Sequence, residues 1–415
     1  MPETDSAPKP LTGLEIVECA SFVAGPTGGM TLAQLGAQVI RIDPIGGGSD
    51  HHRWPVVGHG TGPGEGESYY WASLNKGKRS IAVDMRSPEG RELVVALITA
   101  PGQNRGILVD NVVGRRWMAN NVLVAHRPDL VHLRVQGHPD GRPAVDYTVN
   151  AEVGIPGITG PEVGGAPVNH VLPAWDLVTG LTVSTGVLAA VYQRSHTGRG
   201  AYIELALADV ALAGVANLGW LSETAEKGTE RPRHGNHVYG SFGVDFVCSD
   251  GRRVMVVALT EGQWSALCDV TGTREVFAAL ATAMGADLTN EADRYRLRET
   301  IAAILRPWFA ARDFKQVHDE LDAAKVLWGR YQGTRDVVAD HRAGRHPVLA
   351  DTALPGGAPA ITARSPLRWN AAYGEAGVAP LLGRETDEVL ADRLGLSEAE
   401  IGGLHSRGVV AGPGA

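Results

Sequence analysis

Five short runs rich in Val, Ile and Leu recur through the first third of the chain: Leu14–Ala20, Gln38–Asp43, Ser80–Met85, Gly106–Asn111 and Leu130–Gln136. Each is short, rich in aliphatic and β-branched residues, and predicts a strand. Helix-compatible segments bounded by Gly or Pro lie between most of them. Thr27–Ala37 predicts one turn-rich helix. A second begins at Ser87, with Ser at the N-cap, Pro88 at the first helical position and Glu89 in the first turn. Strand and helix alternating every 24–26 residues or so predict a parallel sheet covered by helices, a doubly wound α/β domain.

The pattern changes after about residue 220. Asp245–Cys248 and Arg253–Leu259 flank Ser249-Asp250-Gly251, and Asp-Gly favours the positive dihedrals of a tight hairpin turn. Helical periodicity follows over Glu261–Thr271, Glu291–Ala311 and Phe314–Ala324. Strands followed by helices predict a smaller α+β unit. A Gly/Pro-rich stretch, Pro355–Pro359, leads to a charged C-terminal segment, Gly383–Gly395, with a capping signal at Thr386 and Asp387.

Length and composition narrow the function. With 415 residues the chain has room for about two domains. Its net charge of −8 argues against a general nucleic-acid binder. Cys19, Cys248 and Cys268 are too widely spaced for a disulfide framework or a CxxC motif, and read as buried thiols. The start, Met1–Lys9, is polar, and the uncharged stretch Leu177–Gln193 is interrupted by Thr, Ser and Gly and falls short of a membrane span. The expected location is cytoplasmic, with no membrane partner. The turn after the first strand, Gly25-Pro26-Thr27-Gly28-Gly29, lacks GxGxxG spacing; Gly77-Lys78-Arg79 lacks a P-loop; GxSxG, HExxH and paired Cys/His clusters do not occur. Nicotinamide, nucleotide-triphosphate, serine-hydrolase and metal chemistry therefore lose their usual signatures.

Three features remain. Asp176 precedes a long helix-compatible segment running to about Arg194. An Asp there is either an N-cap or a carboxylate held ionised by helix N–H groups, as a nucleophile must be. Arg231–Gly243 (RPRHGNHVYGSFG) is either an interdomain turn or a mobile cover offering backbone donors to a reacting carbonyl. Lys76, Lys78, Arg79 and Arg86 bracket a strand, as solvated charge or as a site for a phosphate-bearing ligand.

Taken in order, Leu11–Val17 (LTGLEIV), Ala24–Pro26, Leu35–Ile42, Asn75–Met85, Thr197–Gly200 and Pro380–Leu390 resemble the family III CoA-transferases, the group related to formyl-CoA transferase and α-methylacyl-CoA racemase. The resemblance covers nearly the whole chain. It implies a Rossmann-like large domain plus a smaller α+β domain, in an interlocked homodimer. The large domain would take residues 1–220 and a C-terminal return at 346–415, and the small domain 221–345 with the Gly-rich loop. Asp176 falls on the family's nucleophile. Coenzyme A, entering as part of an acyl-CoA substrate with no tightly bound cofactor and no metal, would contact Val23, Ala24, Val83, Asp84, Met85, Arg86 and Asn111. After Asn111 the chain reads Val-Val-Gly-Arg-Arg, where family members often carry an Asn-Phe-x-Pro-Gly-like run.

The racemases use a Gly-His-Asp run, which Ala144-Val145-Asp146 replaces here, and valine exchanges no proton. The segments Phe22–Ala37, Val145–Asn150, Val168–Asp176 and Arg231–Asn236 resemble the branch of the family that moves CoA between the two carboxyl groups of one unsaturated, branched dicarboxylic acid. That resemblance implies an aspartyl anhydride and an aspartyl-CoA thioester as intermediates. Tyr147, His170, Arg233, Gly235 and His237 are its substrate or lid candidates. Intermolecular transfer to a free acid, racemisation, and a CoA-binding regulatory role without chemistry are the alternatives.

Overall fold

The computed structural model describes residues 9–58, 66–112 and 114–414. Most of the polar start Met1–Lys9, and Val113 in the run after Asn111, lie outside them. The chain divides into two compact units. The first comprises Met1–Val153, Val171–Ser222 and His346–Ala415; the second comprises Gly154–His170 and Glu223–Arg345.

In chain order the first unit begins with β1 (Glu15–Cys19), α1 (Ala24–Gln34), β2 (Gln38–Asp43), α2 (Tyr69–Asn75), β3 (Arg79–Val83), α3 (Pro88–Ile98), β4 (Ile107–Asp110), α4 (Asn120–His126), β5 (Val131–Gln136) and α5 (Asp146–Glu152). A short helix, α6 (Ile155–Ile158), belongs to the second unit, and the first resumes with α7 (Ala174–Thr197), β6 (Ala201–Ala206) and α8 (Leu207–Asn217). The sheet order is β3-β2-β1-β4-β5-β6, all parallel, with a two-residue strand, Val410–Ala411, running antiparallel beside β3. That order reverses direction between β1 and β4. In such sheets ligands occupy the crevice at the carboxyl ends of the two strands flanking the reversal.

The five apolar runs are the five strands β1 to β5, with ends that differ by at most two residues: β2 matches its run and β3 starts one residue early, at Arg79. Ser87 caps α3 as expected, its Oγ accepting the Gly90 N–H at 3.0 Å. Strand interiors are fully covered: Ile16, Val39, Ile40, Ile81, Leu108, Val109 and Leu133 expose nothing. The first helix starts three residues early, at Ala24, and glycine lets α1 lie directly against α7. A Cβ on Gly28 would stand 2.5 Å from Val183 Cγ1, and one on Gly180 2.6 Å from Thr27 Cβ.

Several expectations change. The helix after Asp176 runs for 24 residues, Ala174–Thr197, which by length and composition is enough to cross a membrane. Its stripe Gly180, Val183, Val187 and Ala190 is nonetheless buried inside the unit. The segment Gly154–His170 belongs to the second unit, not the first. Gly235 N–H donates to Gly160 O at 3.0 Å, Arg233 Nε to Gly157 O at 2.8 Å, and Arg298 pairs with Glu162 at 3.1 Å. At the C-terminus Thr386 is not the cap of its helix. Its hydroxyl bonds Gly383 O and Ala411 O and accepts the Ala82 N–H, tying the tail to β3.

The second unit holds an antiparallel sheet of β7 (Phe242–Val247), β8 (Arg253–Ala258) and β9 (Leu327–Arg330). Its hairpin matches the Asp-Gly signal. The helices behind it pack around Phe242, Phe246, Leu267, Ile301 and Phe309. The expected helix Glu291–Ala311 is two, Glu291–Arg296 and Arg298–Ala310, broken at Leu297. All three cysteines are free and buried.

Candidate active site

A cleft of about 240 Å³ opens at the strand-order reversal of the first unit, lined by Ser21–Ala24, Asn111, Val135–Gly137, Pro143–Val145, Asp176 and Leu207. The β1–α1 turn forms one wall. Asn111, just beyond β4, fixes that turn: its Oδ1 accepts the Ser21 N–H at 3.1 Å and its Nδ2 donates to Ser21 O at 2.9 Å. Phe22, at the tip, takes φ = 68°, a conformation rare outside glycine, and its N–H donates to Asp50 Oδ2 at 2.9 Å. The opposing wall carries Asp176.

Asp176 is the third residue of α7, not its N-cap. The cap comes from another helix: Asp146 Oδ2 accepts the N–H of Trp175 at 2.7 Å and of Asp176 at 3.1 Å. The Asp176 carboxyl is thereby released from capping and faces the cleft. Burial raises its pKa from 3.8 to about 6, the Asp146 carboxylate adds to the rise, and Arg53 opposes it. A carboxyl whose pKa is raised on folding binds its proton more tightly in the native state. Stability is then fullest below about pH 4 and falls as pH rises through about 6. The variant Asp176→Asn, which does not ionise, is expected to be more stable than the native chain at pH 8 by on the order of 1–2 kcal/mol, and level with it at pH 4. Urea titrations at both pH values measure this, and a difference independent of pH would contradict it.

The other candidate residues separate into groups. Val23, Ala24 and Asn111 line the same cleft as Asp176. Asp84, Met85 and Arg86 lie just past β3, where Asp84 Oδ1 accepts the Arg86 N–H at 3.0 Å and Arg86 is exposed. Val83 is fully buried in the core and its carbonyl accepts the Met85 N–H. Tyr147, in the first turn of α5, donates its hydroxyl to Val171 O at 3.2 Å. His170, Arg233, Gly235 and His237 all belong to the second unit. There the Arg233 guanidinium holds Gly157 O and Gly165 O, and His237 Nε2 meets Glu299 Oε1 at 2.7 Å. These two side chains fasten the Gly-rich loop to neighbouring segments of its own unit.

The basic cluster around β3 is mostly structural. Lys78 Nζ is buried between Glu18, Asn75 and Pro26, Lys76 Nζ donates to Thr362 Oγ1 at 2.8 Å, and Arg79 pairs with Glu388 at 2.9 Å. That corrects the reading of these three as a phosphate site. Arg86 stays exposed, and Arg115, which the sequence reading passed over, reaches Met85 Sδ at 2.9 Å. Arg53 and Tyr70 were also missed. Arg53 stands over the rings of Phe22 and Tyr70, 5.6 and 5.3 Å from their centroids, and burial lifts Tyr70 to about 12 so that it keeps its proton.

Comparison with known proteins places this geometry. Residues 11–386 match the model of CoA-transferase family III. The chain is 47% identical to 2-methylfumaryl-CoA isomerase of Chloroflexus aurantiacus over 97% of its own length and 98% of the relative's. It is 28% identical to succinyl-CoA:mesaconate CoA-transferase of Haloarcula hispanica, over 92% and 95% of the two chains. A solved structure, a CAIB/BAIF family protein from Brucella suis, superposes with a TM-score of 0.75 at 27% identity, covering 93% of this chain and all of that one. Matched over residues 11–386 by the family model and over 97% of its length by a 47% identical relative, this chain with its cleft at the β1/β4 reversal is an enzyme of CoA-transferase family III.

Proposed function

We propose that this enzyme moves CoA between the two carboxyl groups of a single unsaturated, branched dicarboxylic acid, converting mesaconyl-C1-CoA to mesaconyl-C4-CoA. The observation that carries the reading is the cleft itself, where a carboxyl freed from helix capping faces the start of α1, whose first N–H groups have no intrahelical acceptor. The 47% identity to an enzyme named as an isomerase of 2-methylfumaryl-CoA supports this substrate class.

In the proposed reaction the Asp176 carboxylate attacks the thioester carbonyl, forming a mixed anhydride and expelling CoA thiolate. The thiolate attacks the aspartyl carbonyl, giving an aspartyl-CoA thioester and freeing the dicarboxylate. The acid's other carboxylate attacks that thioester, forming a second anhydride and expelling the thiolate again. Attack of the thiolate on the substrate carbonyl of this anhydride yields the product and restores Asp176. Backbone N–H groups at Val23 and Ala24 would stabilise the oxyanions. Asp84, Met85, Arg86, Asn111 and Arg115 would line the path of CoA, with Arg86 and Arg115 supplying positive charge for its phosphates.

Racemisation is disfavoured, because Val145 stands in the cleft where a proton-exchanging side chain is needed and the Asp146 carboxylate is taken up by the start of α7. Exposed apolar side chains on and around α7 and α8, Val178, Leu181, Leu212 and Leu218, support an interlocked homodimer. Incubating the enzyme with mesaconyl-C1-CoA and isotopically labelled free mesaconate tests the intramolecular route. Regioisomer exchange with little label in the thioester pool is expected. Label incorporated at the rate of isomerisation would favour the intermolecular alternative.

A further inference from the structure

Resting on the covalent reading above, we propose that Arg53 is the specificity-determining residue that holds the free carboxylate of the substrate while the other carboxyl reacts at Asp176. A cation near the nucleophile would serve an intramolecular transfer, since each stage leaves one carboxylate that must neither leave nor wander. The other charge that acts on Asp176 is negative, the Asp146 carboxylate that caps α7. Arg41 is fully buried among Asp43, Asp50, Asn75 and Glu18. Lys78 is buried on Glu18, and Arg233 is engaged by carbonyls of the second unit. Arg53 differs from all of these. It is exposed, and among the described residues its guanidinium meets no hydrogen-bond acceptor.

Its position is nevertheless fixed. Arg53 N–H donates to Asp50 O at 3.1 Å, Ser68 Oγ donates to Arg53 O, and the guanidinium lies over Phe22 and Tyr70. Phe22 lines the cleft that contains Asp176. No ion pair joins Arg53 to Asp176 among the described residues, although its charge acts on that carboxyl and lowers its pKa. A guanidinium on an aromatic platform, with its donor edge unoccupied, is suited to bidentate recognition of a carboxylate. It would serve both half-reactions alike, taking whichever carboxyl is not at Asp176.

The test measures single-turnover formation of the aspartyl adduct, trapped with hydroxylamine and read by intact mass. The donors are mesaconyl-C1-CoA and the same thioester with its free carboxyl methylated. The native enzyme is expected to react about 100-fold faster with the free acid. Arg53→Gln is expected to lower the free-acid rate to that of the ester and leave the ester rate unchanged, with Arg53→Lys in between. A preference for the free acid that persists in Arg53→Gln, or an equal loss with both donors, would overturn the assignment. Absence of any adduct in the native enzyme would instead overturn the covalent reading on which it rests.

Discussion

Asp176→Ala is expected to lower CoA transfer by about 10⁴-fold or more, while CoA binding and the folded state persist. The two hydrogen bonds that start α7 come from backbone N–H groups of residues 175 and 176 to Asp146, so removing the Asp176 side chain leaves the helix terminus capped. That geometry also separates the two readings the sequence left open. Loss of an N-cap costs on the order of 1 kcal/mol. Loss of a buried carboxylate whose pKa is raised to about 6 relieves the native state instead. An inactive variant that is more stable at pH 8 than its parent is therefore the expected pair of results, read by regioisomer formation and urea unfolding. The same raised pKa sets the acid limb of activity. Only the ionised form attacks, so the rate of adduct formation is expected to rise with pH through about 6 and then level off. Retained turnover in Asp176→Ala would remove it as the nucleophile, and destabilisation of about 1 kcal/mol would restore the capping role.

How legible this was in the sequence depended on which interactions carried each feature. The strands β1 to β5 were readable because Val, Ile and Leu cluster in short runs at regular spacing, and Ser87 because a cap acts within three residues of itself. Asp176 was readable as a position but not as an environment, since its cap lies thirty residues away on α5. The strand Val410–Ala411 escaped notice because two residues carry no period. The discontinuous large unit came from family resemblance, and the attachment of Gly154–His170 to the second unit from neither, because it depends on Arg233 reaching carbonyls about seventy residues upstream. Arg53 was passed over for a related reason. It sits in a polar loop with no motif, and only the fold brings that loop beside Phe22 and the cleft.

Lys78→Met carries the second large expected effect, a loss of about 3–5 kcal/mol in unfolding free energy of the first unit. Lys78 Nζ donates to Glu18 Oε1 and Oε2 at 2.7 and 2.9 Å, to Asn75 Oδ1 at 2.9 Å and to Pro26 O at 3.0 Å, with both charged side chains wholly enclosed. Burial pulls the lysine down to about 8 and pushes the glutamic acid up, so desolvation outweighs mutual attraction in each. Such a pair adds little over an apolar replacement of both partners, yet breaking one side strands the other. In Lys78→Met, Glu18 would keep, among the described residues, only Arg41 as a cationic partner, at 3.6 Å and already bound to Asp43 and Asp50. The double variant Glu18→Gln/Lys78→Met is expected to recover part of the loss. A phosphate-binding lysine would behave in the opposite way, weakening CoA affinity with little change in stability. Unfolding within about 1 kcal/mol of the parent, together with a clear loss of CoA affinity, would return Lys78 to the binding site. The expected outcome instead makes it a support beneath the site: the network that it closes includes Asp50, whose Oδ2 holds the Phe22 N–H, and so it shapes the turn at which the cleft begins.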